Sequence, residues 1–69
     1  MATTIAKVIE ISSSSPKGLE DAVQQGLKKV AKTVKLIKGA WINEMSVVTA
    51  DDGKVTEWRV NMKISFVVS

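Results

Sequence analysis

The sequence predicts an α+β fold in which a three-stranded antiparallel sheet packs on one amphipathic helix. Apolar residues alternate with period two in three segments, and they follow the helical period in one segment between the first two strands. The predicted order is therefore β-α-β-β. The helix returns the chain to its starting side, so a third strand placed between the other two makes the sheet antiparallel. At 69 residues, we expect one domain, residues 1–69.

The first strand is predicted over residues 5–11, where β-branched residues are frequent. Four serines and a proline follow, a pattern typical of a turn that starts a helix. We expect Ser15 to be the N-cap and Pro16 the first helical residue, because proline has no N–H to lose there. No general base is visible for a serine nucleophile, so a catalytic or regulatory role of the serines is the weaker interpretation.

The helix is predicted from residue 16 to about residue 35, because apolar residues recur there at i, i+3, i+4 and i+7. Acidic residues near its start and lysines in its second half both suit the helix macrodipole. Gly39 is expected to mark the exit. The apolar stripe consists of Leu19, Ala22, Val23, Gly26, Leu27, Val30, Ala31 and Val34.

Two further strands are predicted over residues 40–49 and 54–67, joined by an Asp-Gly hairpin turn at residues 50–53. Alternation predicts that every second side chain of the third strand points toward the helix: Trp58, Val60, Met62, Ile64 and Phe66. The opposite face of the sheet is predicted to carry Lys7, Trp41, Asn43, Met45, Arg59, Asn61 and Lys63. That mixed face, the two open sheet edges and the small size of the domain all favour a homo-oligomer.

Composition excludes several function classes. The chain has no cysteine and no histidine, which removes disulfides, thiolate or His-ligated metal sites and His-based triads. It also has no glycine-rich phosphate loop, so we expect no enzymatic activity. Apolar runs are far shorter than the ~20 residues of a membrane span. Residues 1–4 lack the features of a signal peptide, and a cytoplasmic location without membrane contact is expected.

Two charged sets have a plain interpretation beside a functional one. The lysines could contact phosphates, but no arginine accompanies them and no aromatic residue is interleaved with them. A solvated helix face is therefore the favoured interpretation, and no nucleic-acid partner is expected. The acids could gather around calcium, but two of them lie in the Asp-Gly turn, where aspartate is common; an ion shared between subunits stays open. The sets are Lys28, Lys29, Lys32, Lys35 and Lys38, and Glu44, Asp51, Asp52 and Glu57.

Trp41 and Arg59 form the most informative pair. Alternation places both on the face away from the helix, and counting from the hairpin puts Arg59 opposite residues 43 to 45, about one diagonal step from Trp41. A tryptophan beside an arginine is a good platform for a flat heteroaromatic ligand. The same pair is typical of a subunit interface, and both interpretations stay open.

Several segments together resemble the dodecin family. They are Lys-Val-Ile-Glu-Ile at 7–11, Ser-Ser-Pro-Lys-Gly at 14–18, the helix at 20–33, and Trp-Arg-Val-Asn-Met-Lys-Ile-Ser-Phe at 58–66. The resemblance covers nearly the whole chain in order. It implies a β-α-β-β subunit that assembles into a hollow homododecamer. Such proteins bind flavins, riboflavin or FMN among them, in paired stacks between subunits, and store them without catalysis.

Two positions depart from the family pattern. The tryptophan that stacks on the flavin just after the helix corresponds to Gly39, and a ring-binding glutamine in the third strand corresponds to Arg59. In one interpretation Trp41 replaces the missing ring from the same face, and the predicted ligand contacts are Trp41, Arg59, Gly39 and Met45. In the other, the chain belongs to a branch without flavin that binds calcium or has a purely structural role.

Overall fold

The computed structural model describes residues 4–68 and confirms the predicted fold. Its elements are β1 (Ile5–Ser15), α1 (Leu19–Val30), β2 (Ile37–Thr49) and β3 (Val55–Val68). The sheet order is β1-β3-β2, and β3 pairs antiparallel with both neighbours. Residues 1–3 and 69 lie outside the described residues. They include both ends of the predicted domain and most of residues 1–4, which lack the features of a signal peptide.

The serine run belongs to β1, which extends to Ser15 and pairs there with Trp58. The prediction of Ser15 as N-cap and Pro16 as first helical residue is wrong, because ladder pairing holds Ser15 in the strand and α1 begins after Gly18. The Ser15 hydroxyl instead accepts from the Lys17 N–H at 3.0 Å and donates to an Asp21 carboxylate oxygen at 2.6 Å. It therefore fastens the turn to the start of the helix.

The helix ends earlier than predicted, at Val30 with Ala31 as C-cap. The chain is then redirected by Leu36, which has a left-handed backbone with φ of 62°. The carbonyl of Leu36 already accepts from the Val67 N–H at 3.1 Å, just ahead of β2. Gly39 consequently lies inside β2 and does not mark the helix exit.

The core lies between α1 and the two strands it packs on, β1 and β3. Ala22 of the helix and Val60, Met62 and Ile64 of β3 are buried. Gly26 permits this close approach, because a Cβ there would come within 2.6 Å of the Met62 Cε atom. Within residues 4–68 no helix combines the length and apolar content needed to cross a membrane.

The predicted hairpin turn is confirmed between β2 and β3. The Gly53 N–H donates to the Ala50 carbonyl at 2.9 Å, and the Ala50 N–H donates to the Lys54 carbonyl at 2.8 Å. Asp52 accepts from the Lys54 N–H at 3.0 Å, which is the local turn bonding expected of aspartate. Gly53 has φ of 89°, which glycine adopts without strain.

Candidate ligand-binding site

The sheet has a covered face, packed on α1, and a bare face turned away from it. Residues paired across adjacent antiparallel strands share a face, and Met62 lies on the covered one. The register therefore arranges the bare face in rows across β1, β3 and β2. Four successive rows are Val8, Ser65 and Gly39; Glu10, Lys63 and Trp41; Ser12, Asn61 and Glu44; and Ser14, Arg59 and Ser46.

Trp41 is the dominant side chain of the bare face, with 60% of its surface exposed. The neighbouring row, which we call the open strip (Val8, Ser65 and Gly39), contains only small or modest side chains. A Cβ at Gly39 would meet nothing closer than the Ser65 hydroxyl at 4.0 Å, so the space above Gly39 is free. An exposed indole beside an open strip is suited to a flat aromatic ring.

Polar side chains continue the bare face on the other side of Trp41. The Asn43 amide donates to a Glu10 carboxylate oxygen at 3.1 Å, reaching across β3. In the next row the Asn61 amide donates to Glu44 at 3.1 Å, and its carbonyl oxygen accepts from Ser12. These hydrogen bonds tie all three strands together and fix the polar surroundings of Trp41.

The predicted closeness of Trp41 and Arg59 is wrong within one chain. Trp41 pairs with Lys63, whereas Arg59 pairs with Ser46, four residues along β3 and on the order of 13 Å away. A register irregularity between Val48 and Thr49 shifts the count from the hairpin, so that Arg59 faces Ser46 and not residues 43 to 45. The Arg59 guanidinium also donates to Glu57 at 3.1 Å, on the side away from Trp41.

A further irregularity, between Ile42 and Glu44, explains why Met45 does not lie on the bare face that the sequence predicts for it. Asn43 is an extra residue in β2, so alternation reverses after it and Met45 pairs with the buried Val60. Met45 therefore lies on the covered side of the sheet, where it is 63% exposed. Lys7 was also misplaced, since it pairs with Phe66 on that side. Gly39 and Trp41 share the bare face, as the sequence predicts.

Sequence reasoning missed Lys63 and Glu10 as the direct row neighbours of Trp41. Both are exposed. Alternation already placed Lys63 on the right face, but the hairpin count made Arg59 the neighbour instead. The contact between Asn43 and Glu10 joins residues 33 positions apart and carries no local sequence signal. Within residues 4–68 no group of three carboxylate, histidine or cysteine side chains is placed to hold a metal ion.

The comparisons with known proteins agree with this fold. The dodecin family model matches residues 5–69. Similar solved structures include the dodecin from Streptomyces davaonensis, with a TM-score of 0.91 and 24% identity, which covers 99% of this chain and 98% of that one. A variant of the Thermus thermophilus dodecin has a TM-score of 0.90 and 25% identity, covering 97% and 98%.

A calcium-chelating antigen described as calcium dodecin, from Mycobacterium tuberculosis, is also similar. Its TM-score is 0.80 at 26% identity, over 94% of this chain and 91% of that one. No curated protein matches the chain by sequence. The family model spans nearly the whole chain, and the order of strands and helix agrees with it. The chain belongs to the dodecin family.

Proposed function

We propose that this protein binds and stores flavin of the riboflavin or FMN type, held between the subunits of a homododecamer, and that it catalyses no reaction. The observation that carries this proposal is the exposed Trp41 indole beside the open strip. Stacking between flat aromatic systems is favourable, and the isoalloxazine ring of flavin is a flat heteroaromatic. Membership of the dodecin family supports the same ligand class.

The position of Trp41 explains how a chain without the usual tryptophan keeps an aromatic surface. Gly39 occupies the position of the family's stacking residue, and its missing side chain leaves space above the strip. Trp41 lies two residues later on the same face, so its ring can border that space. A ring displaced in this way stacks at a different point, and we therefore expect altered flavin preference rather than lost binding.

The surface of β2 supports assembly with further copies. β2 is an edge strand, and large apolar side chains are exposed on both of its faces. A small domain that leaves such a strand uncovered is prone to associate. In the homododecamer that we propose, neighbouring copies cover the exposed apolar residues of β2 other than Trp41, which is left to the ligand: Ile42, Met45, Val47 and Val48.

A shell without flavin that binds calcium is the alternative, favoured by the likeness to calcium dodecin. Calcium needs six to eight oxygen ligands. Residues 4–68 of a single chain bring no three acidic side chains together, so such an ion would have to be shared between copies. Glu10 and Glu44, each bound to an asparagine amide, are two of the carboxylates on the bare face.

The test is a titration of riboflavin and FMN with the purified oligomer, followed by quenching of flavin fluorescence. We expect saturable quenching by the wild-type chain and by Trp58→Phe, because Trp58 pairs with Ser15 and Val47 on the covered side. Trp41→Ala should abolish quenching while light scattering still reports the intact oligomer. Absence of quenching by the wild type would refute flavin binding and direct the search to calcium. Loss of the oligomer in Trp41→Ala would make Trp41 an interface residue.

A further inference from the structure

We propose that Lys63, and not Arg59, is the cation that binds the carbonyl edge of the flavin ring stacked on Trp41. This inference rests on the proposed function, because it names a polar contact of that same site. Family correspondence pointed to Arg59, the residue at the position of the ring-binding glutamine. The register of the sheet points to a different residue.

Position is the first argument. Lys63 pairs directly with Trp41 in the ladder, so the two Cα atoms lie about 5 Å apart and both side chains leave the same face. A ring stacked on the indole and extending over the open strip would lie beside Lys63, because the row of Trp41 and Lys63 borders that strip. Arg59 lies four residues farther along β3.

Availability is the second argument. Arg59 forms an ion pair with Glu57, with 3.1 Å between Nε and Oε2, so part of its guanidinium is already engaged. Lys63 is exposed, and its side chain has no hydrogen bond or ion pair to any described residue. Its other row neighbour, Glu10, accepts instead from the Asn43 amide. The Lys63 ammonium therefore keeps its three donors for a ligand.

Chemistry is the third argument. The carbonyl oxygens at the pyrimidine edge of an isoalloxazine ring accept hydrogen bonds, and an ammonium group can only donate them. A hydrogen bond from a charged donor is about twice as strong as a neutral one. Riboflavin and FMN share this ring edge and differ in the phosphate, so comparing them separates a ring contact from a phosphate contact.

The experiment measures Kd for riboflavin and for FMN by fluorescence quenching in four variants, with circular dichroism and light scattering as checks on folding and assembly. Lys63→Met should bind both flavins about tenfold more weakly, and Lys63→Arg should stay near the wild type, within about threefold. Arg59→Met and the matched control Lys54→Met, whose lysine follows the hairpin turn, should also stay within about threefold. If Lys63→Met does not assemble, Lys63→Gln replaces it.

Three outcomes would overturn the proposal while leaving flavin binding intact. Normal Kd values in Lys63→Met would show that this cation contributes nothing. A larger loss in Arg59→Met than in Lys63→Met would assign the contact to Arg59, reaching the ligand from another copy. A loss confined to FMN would assign Lys63 to the phosphate. A wild-type chain that quenches neither flavin would overturn the proposed function together with this inference.

Discussion

The two faces of the sheet differ in what completes them. Under α1 the chain supplies its own partner: Met62 and Ile64 are buried, and no buried side-chain polar atom of residues 4–68 lacks a hydrogen bond. On the bare face and along β2, Trp41 and other large apolar side chains remain exposed. Burial of apolar surface is the main favourable term in folding, so the covered face stabilises the subunit. The uncovered surfaces are left to ligands and further copies.

The largest effect on stability is expected from a substitution of Met62 on the covered face. Met62→Ala removes a fully buried side chain and leaves a cavity, and should lower the free energy of unfolding by about 3 kcal/mol. Met45→Ala is the matched control, because Met45 is 63% exposed within one chain. It should cost less than about 1 kcal/mol in subunit folding and should act on assembly instead.

Denaturant unfolding of both variants at equal protein concentration, with light scattering for the oligomer, checks this pair. Equal losses of folding stability in Met62→Ala and Met45→Ala would contradict the comparison, since they would mean that the exposed side of β2 stabilises the subunit as strongly as the core.

A smaller effect on stability is expected in the serine run of β1, whose side chains alternate between the covered and the bare face. Ser15 is 2% exposed and bonds both Asp21 and the Lys17 N–H, whereas Ser14 is exposed on the bare face. Ser15→Ala should lower the free energy of unfolding by about 1 to 2 kcal/mol. Ser14→Ala should stay within about 0.5 kcal/mol of the wild type. Thermal or denaturant unfolding measures both, and equal effects would show that the hydroxyl of Ser15 does not fasten the helix.

The sequence predicts those parts of the fold that have a strong period. The helical stripe and the alternation of β3 are long enough to identify each element and its buried side. Four identical serines carry no alternation, so their strand was interpreted as a turn. Nothing local marks Asn43 as the extra residue of β2, and that residue places Met45 on the opposite face from Trp41. A second irregularity, between Val48 and Thr49, shifts the partner of Arg59 to Ser46.

The candidate site was therefore predictable only in part. Trp41 and Gly39 were placed on one face, because they lie before the irregularity and two residues apart. The cation opposite Trp41 depends on pairing register, and register is set by the turn and by every irregularity between the turn and the site. A one-residue insertion changes which residue of β3 lies opposite the indole, and a single sequence does not reveal it.

The smallest expected effect is a pH dependence at the junction between β1 and α1. The Ser15 hydroxyl donates to the Asp21 carboxylate and lowers its pKa below the ordinary value, with smaller contributions from the Gln25 amide and the Lys17 charge. A carboxyl whose pKa is lowered by folding stabilises the native state above its unfolded pKa of about 3.9. That stabilisation is lost as the pH falls through the lower, folded value.

Asp21→Asn should consequently be less stable than the wild type at about pH 6, and the difference should shrink as the pH falls toward about 3. Because the Ser15 hydroxyl is the main cause, the same substitution in a Ser15→Ala background should show a weaker pH dependence. Unfolding midpoints of the four chains across this pH range measure the coupling. A difference between wild type and Asp21→Asn that stays constant with pH would mean that Asp21 acts through its shape and hydrogen bonds, and that its charge adds nothing to the junction.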